Sequence, residues 1–172
     1  SHYLYKSDHQ ETTRYTFGNK TLIEIRSKGC QTVFPPSTHI EGEIITWERR
    51  ESLTKTSSEQ ITQCAGLLAF ASIILNYYPS ISGERNDVCD AITGVLLRAG
   101  FGMEDIDTTV TFIAQNCGDE EYRKRAKAKK IKKNLDEKKK VLGLPALQQF
   151  LKLQNDDINK IREFLNISKK EN

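Results

Sequence analysis

The chain has no Gly-x-x-x-x-Gly-Lys-Ser/Thr loop, which excludes a P-loop motor within its 172 residues. No apolar run approaches the roughly 20 residues that a membrane span needs, and no signal-peptide pattern is present. No Ser-His-Asp or Cys-His arrangement has interpretable spacing. The four cysteines, Cys30, Cys64, Cys89 and Cys117, are widely scattered, so no Cys-x-x-Cys pair indicates zinc. Cys64, Cys89 and Cys117 fall in apolar helical stretches and are expected as buried free thiols in a reducing, cytoplasmic setting. Hydrophobic residues make up 37% and charged residues 28%, which is polar for a compact globule but not a disorder signature. The length suits one sizeable domain, or a small domain plus a piece of another.

What is present is unevenly distributed. Residues 121 to 140 hold 11 Lys or Arg against 3 Asp or Glu, so a segment of +8 sits in a chain whose net charge is +3. The remainder is acidic. Local basic segments often face phosphates, although charge runs are also common as solvated faces. Tyr122 is the only aromatic nearby, so no base-stacking platform is indicated.

Patterning divides the chain near residue 50. Before it, Tyr3–Tyr5, Arg14–Phe17, Leu22–Arg26, Thr32–Phe34 and Glu43–Trp47 read as strands, with turns at Asp8–Gln10 and Gly18–Asn19. Residues 51–57 read as a linker. From 58 to 167 the periodicity is helical. Thr56 with Glu59 is a capping-box candidate, and Pro79 stops the first helix. A second helix ends at Gly100, and a third spans Met103 to Asn116 with Ile106, Val110, Ile113 and Ala114 as its stripe. Asp119 is expected to cap a single fourth helix carrying the basic run. Gly143-Leu144-Pro145 precedes a short fifth helix, Asp156-Asp157 opens a last one, and 168–172 is a frayed tail. The expectation is an α+β chain: a small β-rich part, then an all-α bundle of five or six helices.

In the strand region, Glu24 lies between Ile23 and Ile25, followed by Arg26, a Lys28-Gly29 turn, and Pro35-Pro36-Ser37-Thr38-His39, with Gly42 and Trp47 beyond. An acid on a strand is either a solvated surface residue or a rigidly held ligand. Ser1-His2-Tyr3-Leu4-Tyr5 places a histidine at the head of an aromatic run. These segments resemble the third and second motifs of primase-polymerases of the archaeo-eukaryotic primase superfamily. The family's first motif, a pair of strand acids, would precede the histidine and is not found in this sequence. The resemblance therefore implies a piece of a catalytic domain.

By that resemblance Glu24 is a catalytic metal ligand for Mg2+ or Mn2+, and His2 is catalytic and contacts the nucleotide. Arg26, Lys28, Ser37 and His39 would contact the triphosphate, with His39 alternatively only tying down its turn. Two-metal transfer needs several carboxylates, so this chain alone is expected not to polymerise nucleotides.

The helical half carries Gly83-Glu84-Arg85-Asn86-Asp87, Leu96-Leu97-Arg98-Ala99-Gly100, Cys117-Gly118-Asp119-Glu120-Glu121 and Gly143-Leu144-Pro145. In that order they are similar to the helical domain following the catalytic domain of plasmid, phage and integrated-element primase-polymerases. The resemblance implies binding of single-stranded template DNA and the initiating nucleoside triphosphate, with a helicase domain or protein as a further partner. Arg85, Asn86 and Arg98 would contact DNA, joined by Arg123, Lys127, Lys130 and Lys133 of the basic run. Arg85 is equally compatible with bridging helices inside the bundle. A non-catalytic nucleic-acid-binding module is the alternative reading.

Overall fold

A computed structural model describes residues 2–79 and 82–168. It is an α+β structure of four short strands and six α-helices: β1 (Tyr5–Lys6), β2 (Thr13–Phe17), β3 (Lys20–Ile25), β4 (Thr54–Lys55), α1 (Ser58–Tyr77), α2 (Ser82–Arg98), α3 (Met103–Asn116), α4 (Ala128–Asp136), α5 (Leu144–Leu151) and α6 (Asn155–Phe164). Ser1 and residues 169–172, the end of the expected tail, lie outside the described residues.

Strands β2 and β3 form an antiparallel hairpin in which Arg14 faces Glu24 and Thr13 faces Ile25, with an irregularity between Tyr15 and Thr16. Gly18 opens the two-residue turn at φ +55°, a conformation that favours glycine. Alternation then sorts the side chains. Tyr15 and Ile25 are buried, while Arg14 and Arg26 lie on the outer face with Glu24. Tyr15 donates its hydroxyl to the carbonyl of Thr62 on α1 and meets Phe164 of α6 edge to face at 5.3 Å. The hairpin is thus part of the same core as the helices.

The expected strands at 32–34 and 43–47 are not formed. A single antiparallel bridge joins Thr38 to Ile44, and Phe34 stacks on Trp47. The segment read as a linker contains β4, which pairs in parallel with β1. Ser58 donates its N–H to Asp8 Oδ1 at 2.7 Å, and its hydroxyl lies 2.7 Å from His9 Nδ1, tying the start of α1 to the N-terminal segment.

The capping box of α1 is Ser57 with Gln60, one residue beyond the expected pair. This helix is long and apolar enough to cross a membrane by length and composition alone, at 20 residues and a mean hydropathy of 1.2. The helix itself was expected, but Thr62, Gln63, Ser72 and Asn76 interrupt its apolar run, so its overall hydropathy was not apparent. Ala69, Phe70, Ile73 and Ile74 of α1 are buried inside the bundle, as in a core helix. At Gly66 an added Cβ would fall 2.1 Å from the Phe164 carbonyl oxygen, so α1 and α6 meet backbone to backbone there.

Helix α3 has its expected bounds, and its whole expected stripe is buried. Gly100 and Gly118 end α2 and α3 at φ +85° and +70°. The N–H groups of Phe101 and Asp119 return to Leu96 and Ala114, the closing bonds of such helix ends. Phe70, Ile73, Ile92, Leu96, Ile113 and Ile161 are among the fully buried side chains. Each such residue contributes about 1.5–3 kcal/mol by leaving water.

The basic run is not one helix. A 3-10 turn at Tyr122–Arg125 is followed by α4 from Ala128. All four cysteines are free; Cys89 is buried and Cys117 half-buried, but Cys64 is on the solvent side of α1.

Candidate nucleic-acid interface and the Glu24 clasp

Asp119 explains the break in the basic run. Its side chain is 2% exposed and accepts from Arg125 Nε at 2.9 Å and Nη2 at 3.2 Å, and from the Tyr78 hydroxyl at 3.0 Å. The Glu121 N–H adds a fourth bond at 3.0 Å. Asp119 therefore holds the residues just ahead of the 3-10 turn, whose N-cap is Glu121, and does not cap α4. Bringing the Arg125 guanidinium inward against an acid six residues earlier forces the chain to turn back. Burial alone would raise the Asp119 pKa, but the Arg125, Glu121 and Tyr78 hydrogen bonds outweigh it and hold the carboxyl below its usual range. Burial also raises the neighbouring Tyr78 hydroxyl, and pushes the Cys89 thiol up to about 11.

Several residues expected to touch DNA belong to this internal network. Arg85 donates to the carbonyls of Pro79 and Gly118 and lies 3.9 Å from Asp119. Asn86 accepts from Arg125 and Lys127, and Lys127 also pairs with Asp90 at 3.1 Å. These donors hold α2 against the turn and the start of α4. The N-terminus of α4 has no cap of its own; Asp107 of α3 accepts the Ala128 N–H at 2.9 Å.

With Ala128 and Ile131 anchored inward, helical geometry sends Lys129, Lys130, Lys132 and Lys133 to solvent. Lys132 and Lys133 pair with Asp136 and Glu137 at i,i+4. Such exposed pairs are weak, roughly 0.3–0.5 kcal/mol each, and a denser anion can displace them. Lys129 and Lys130 have no partner among the described residues. Lys138, Lys139 and Lys140 extend the exposed basic surface past the helix end. Arg123 is also exposed, with its guanidinium 5.5 Å from the Tyr122 ring centre. Of the expected DNA contacts, Arg123, Lys130 and Lys133 are therefore available to a ligand, while Arg85, Asn86 and Lys127 are engaged within the bundle. Arg98 donates to three backbone carbonyls, those of Gly94, Leu142 and Val141, through Nη1 and Nη2 and not through Nε.

Glu24 is held differently from the expectation of a metal ligand. Arg14 Nε lies 2.7 Å from one carboxylate oxygen and Arg26 Nε 2.8 Å from the other. The bonds from Arg26 and then Arg14 lower its pKa. Arg26 reaches on to the Gln31 carbonyl at 3.1 Å, fastening the loop that follows β3. Both oxygens already face a cation, and the described residues contain no group of three His, Cys, Asp or Glu able to hold a metal. These residues do not fit a Mg2+ or Mn2+ site.

The remaining expected site residues are not assembled around Glu24. His2, Lys28, Ser37 and His39 are exposed, and among the described residues none bonds to Glu24 or Arg26. Lys28 sits in its turn beside Gly29, which has φ +80°. Ser37 exchanges backbone bonds with Phe34 and Ile45. His39 secures its own turn: Nδ1 accepts from the Glu41 N–H at 3.4 Å, and its N–H donates to Glu43.

The bridging role open to Arg85 is the one it takes, but the rest of the internal network was not foreseen from the sequence. The spacing of Asp119 and Arg125 resembles neither a helical ion pair nor a turn motif. Comparison with known proteins gave no match: no family model, curated protein or solved structure is similar to this chain.

Proposed function

We propose that this chain binds single-stranded nucleic acid through α4, as the template-holding part of a DNA primase-polymerase. The observation that carries the reading is the exposed lysine face of α4, with Lys129, Lys130, Lys132 and Lys133 projecting from a helix pinned by Ala128 and Ile131. Lysines contact phosphates as point charges, so binding follows the backbone and reads little base sequence. The resemblance of the ordered motifs supplies the primase-polymerase context, with nucleoside triphosphates as substrates and a helicase as neighbour. The metal-dependent chemistry of that context is assigned to no residue of this chain. Four unpaired thiols suit a cytoplasmic setting.

A non-catalytic nucleic-acid-binding module is the second reading. The engagement of both Glu24 oxygens by arginines favours it. An Asp-x-Asp or Asp-x-Glu strand encoded shortly before Ser1 would decide for the enzyme.

The test of the shared claim is fluorescence anisotropy with a labelled single-stranded oligonucleotide across a salt series. Replacing Lys129, Lys130, Lys132 and Lys133 with Ala is expected to weaken binding. It should also flatten the log–log salt slope by about 2–3, since each neutralised phosphate contributes roughly 0.7 on a single strand. An unchanged slope would make the lysines a merely solvated face.

A further inference from the structure

Arg98 is fixed by more backbone than a surface arginine needs. Its Nη1 donates to the carbonyls of Gly94 and Leu142, both at 2.9 Å, and its Nη2 to that of Val141 at 3.0 Å. A guanidinium has five N–H groups. The three bonds engage Nη1 twice and Nη2 once. The Nε–H and one Nη2–H remain, and on the Nε side of a guanidinium two such N–H groups are parallel along one edge. That edge is a fork that grips an oxyanion through two bonds. Among the described residues no acceptor takes it.

The surroundings keep the guanidinium in place. An added Cβ on Gly143 would lie 2.8 Å from Nη1, and one on Gly94 3.1 Å from it. A side chain at Gly143 would displace a group that three carbonyls hold. Beside it lies a cavity of about 230 Å³ lined by Arg98, Arg162 and apolar Val95, Leu144, Pro145 and Ile167. No acid is among the lining residues. Arg162 donates from Nη1 to the Ser168 carbonyl at 3.3 Å, and its other N–H groups have no partner among the described residues.

We propose that this cavity is a binding site for a phosphomonoester. Two guanidinium charges match a phosphate dianion better than a carboxylate monoanion. The apolar wall receives the organic group that carries the phosphate. The volume is below that of sites for drug-sized ligands, about 300–1,000 Å³, so the ligand is a small phosphate ester or the phosphorylated end of a chain. The site shares no residue with the α4 lysine face, and it stands or falls independently of that face.

The experiment is calorimetric titration of the full chain at fixed ionic strength. Three probes are used: a 5′-phosphorylated hexathymidylate, the same oligonucleotide with a 5′-hydroxyl, and thymidine 5′-monophosphate. A terminal phosphate is expected to tighten oligonucleotide binding about tenfold, the size of one added charge-assisted bond pair. A gain for the oligonucleotide alone identifies a polynucleotide end as the ligand, and saturable binding of the monophosphate identifies a free ester. Arg162→Gln should erase the gain, and so should Arg98→Lys, which keeps the charge but loses the fork. Should Arg98→Lys fail to fold by circular dichroism, Arg162→Gln alone carries the test. Equal binding of the two oligonucleotides with no uptake of the monophosphate would overturn the proposal. So would a phosphate-dependent gain that survives Arg162→Gln.

Discussion

Glu24 and Asp119 each sit between two guanidinium groups, one on the outer face of a hairpin and the other beneath a turn. Glu24 meets Arg14 and Arg26, whose side chains are 64% and 44% exposed, so water competes for every bond. Asp119 and Arg125 are 2% and 7% exposed, and Tyr78, Glu121 and Arg85 complete the set. Among the described residues no buried side-chain polar atom lacks a hydrogen-bond partner. The same chemistry therefore serves two purposes. Around Glu24 it orients a loop at small energetic consequence. Around Asp119 it dictates where the chain turns, because an unpaired charge at that depth is costly.

The strongest way to break this comparison is to remove the buried cation. Arg125→Ala leaves Asp119 without its main partner and is expected to destabilise the fold by about 3–5 kcal/mol. Chemical denaturation measures this, and a loss below about 1 kcal/mol would place Asp119 in the class of exposed pairs.

Acid titration sharpens the contrast. The folded-state pKa of Asp119 is depressed, so the unfolded chain binds its proton more readily. The stability it contributes is complete above the ordinary aspartate value, near about 4, and is lost as pH falls through the lower folded value. The stability difference between the wild type and Asp119→Asn should be constant near neutrality and shrink below about pH 4. A difference that persists undiminished to the acid unfolding limit would show that the carboxylate charge contributes nothing.

The smallest effect is expected at the hairpin. A double-mutant cycle with Glu24→Gln and Arg26→Gln should give a weak coupling, far below that of the buried pair, that declines with added salt. A larger, salt-insensitive coupling would make the clasp equivalent to the buried pair.

The contrast also explains what could be read from the residues alone. Apolar periodicity revealed α3 with its bounds and stripe, and alternation revealed β2 and β3, because burial of apolar surface leaves a regular trace in sequence. The lysine face was visible as a charge run. The turn at Tyr122–Arg125 was not, because Arg125 counts as polar in any pattern and its burial depends on Asp119, Tyr78 and Asn86 meeting in space. The short β4 was hidden for a related reason: two residues carry no periodicity, and their pairing with Tyr5–Lys6 is set from a distance. The motif marked Arg98 as ligand-facing, but it did not show how the guanidinium is fixed, because two of its three carbonyl partners lie more than forty positions away.

The seating of Tyr15 and Ile25 against α1 and α6 has a practical corollary for dissecting the molecule. Scission of the exposed stretch between residues 28 and 53 would yield two peptides that stay together as a non-covalent pair. Excising the first fifty residues would instead strip a lid from the hydrophobic interior and leave a sticky remnant. The natural unit for biochemistry is the intact polypeptide, however separable its two halves look on paper.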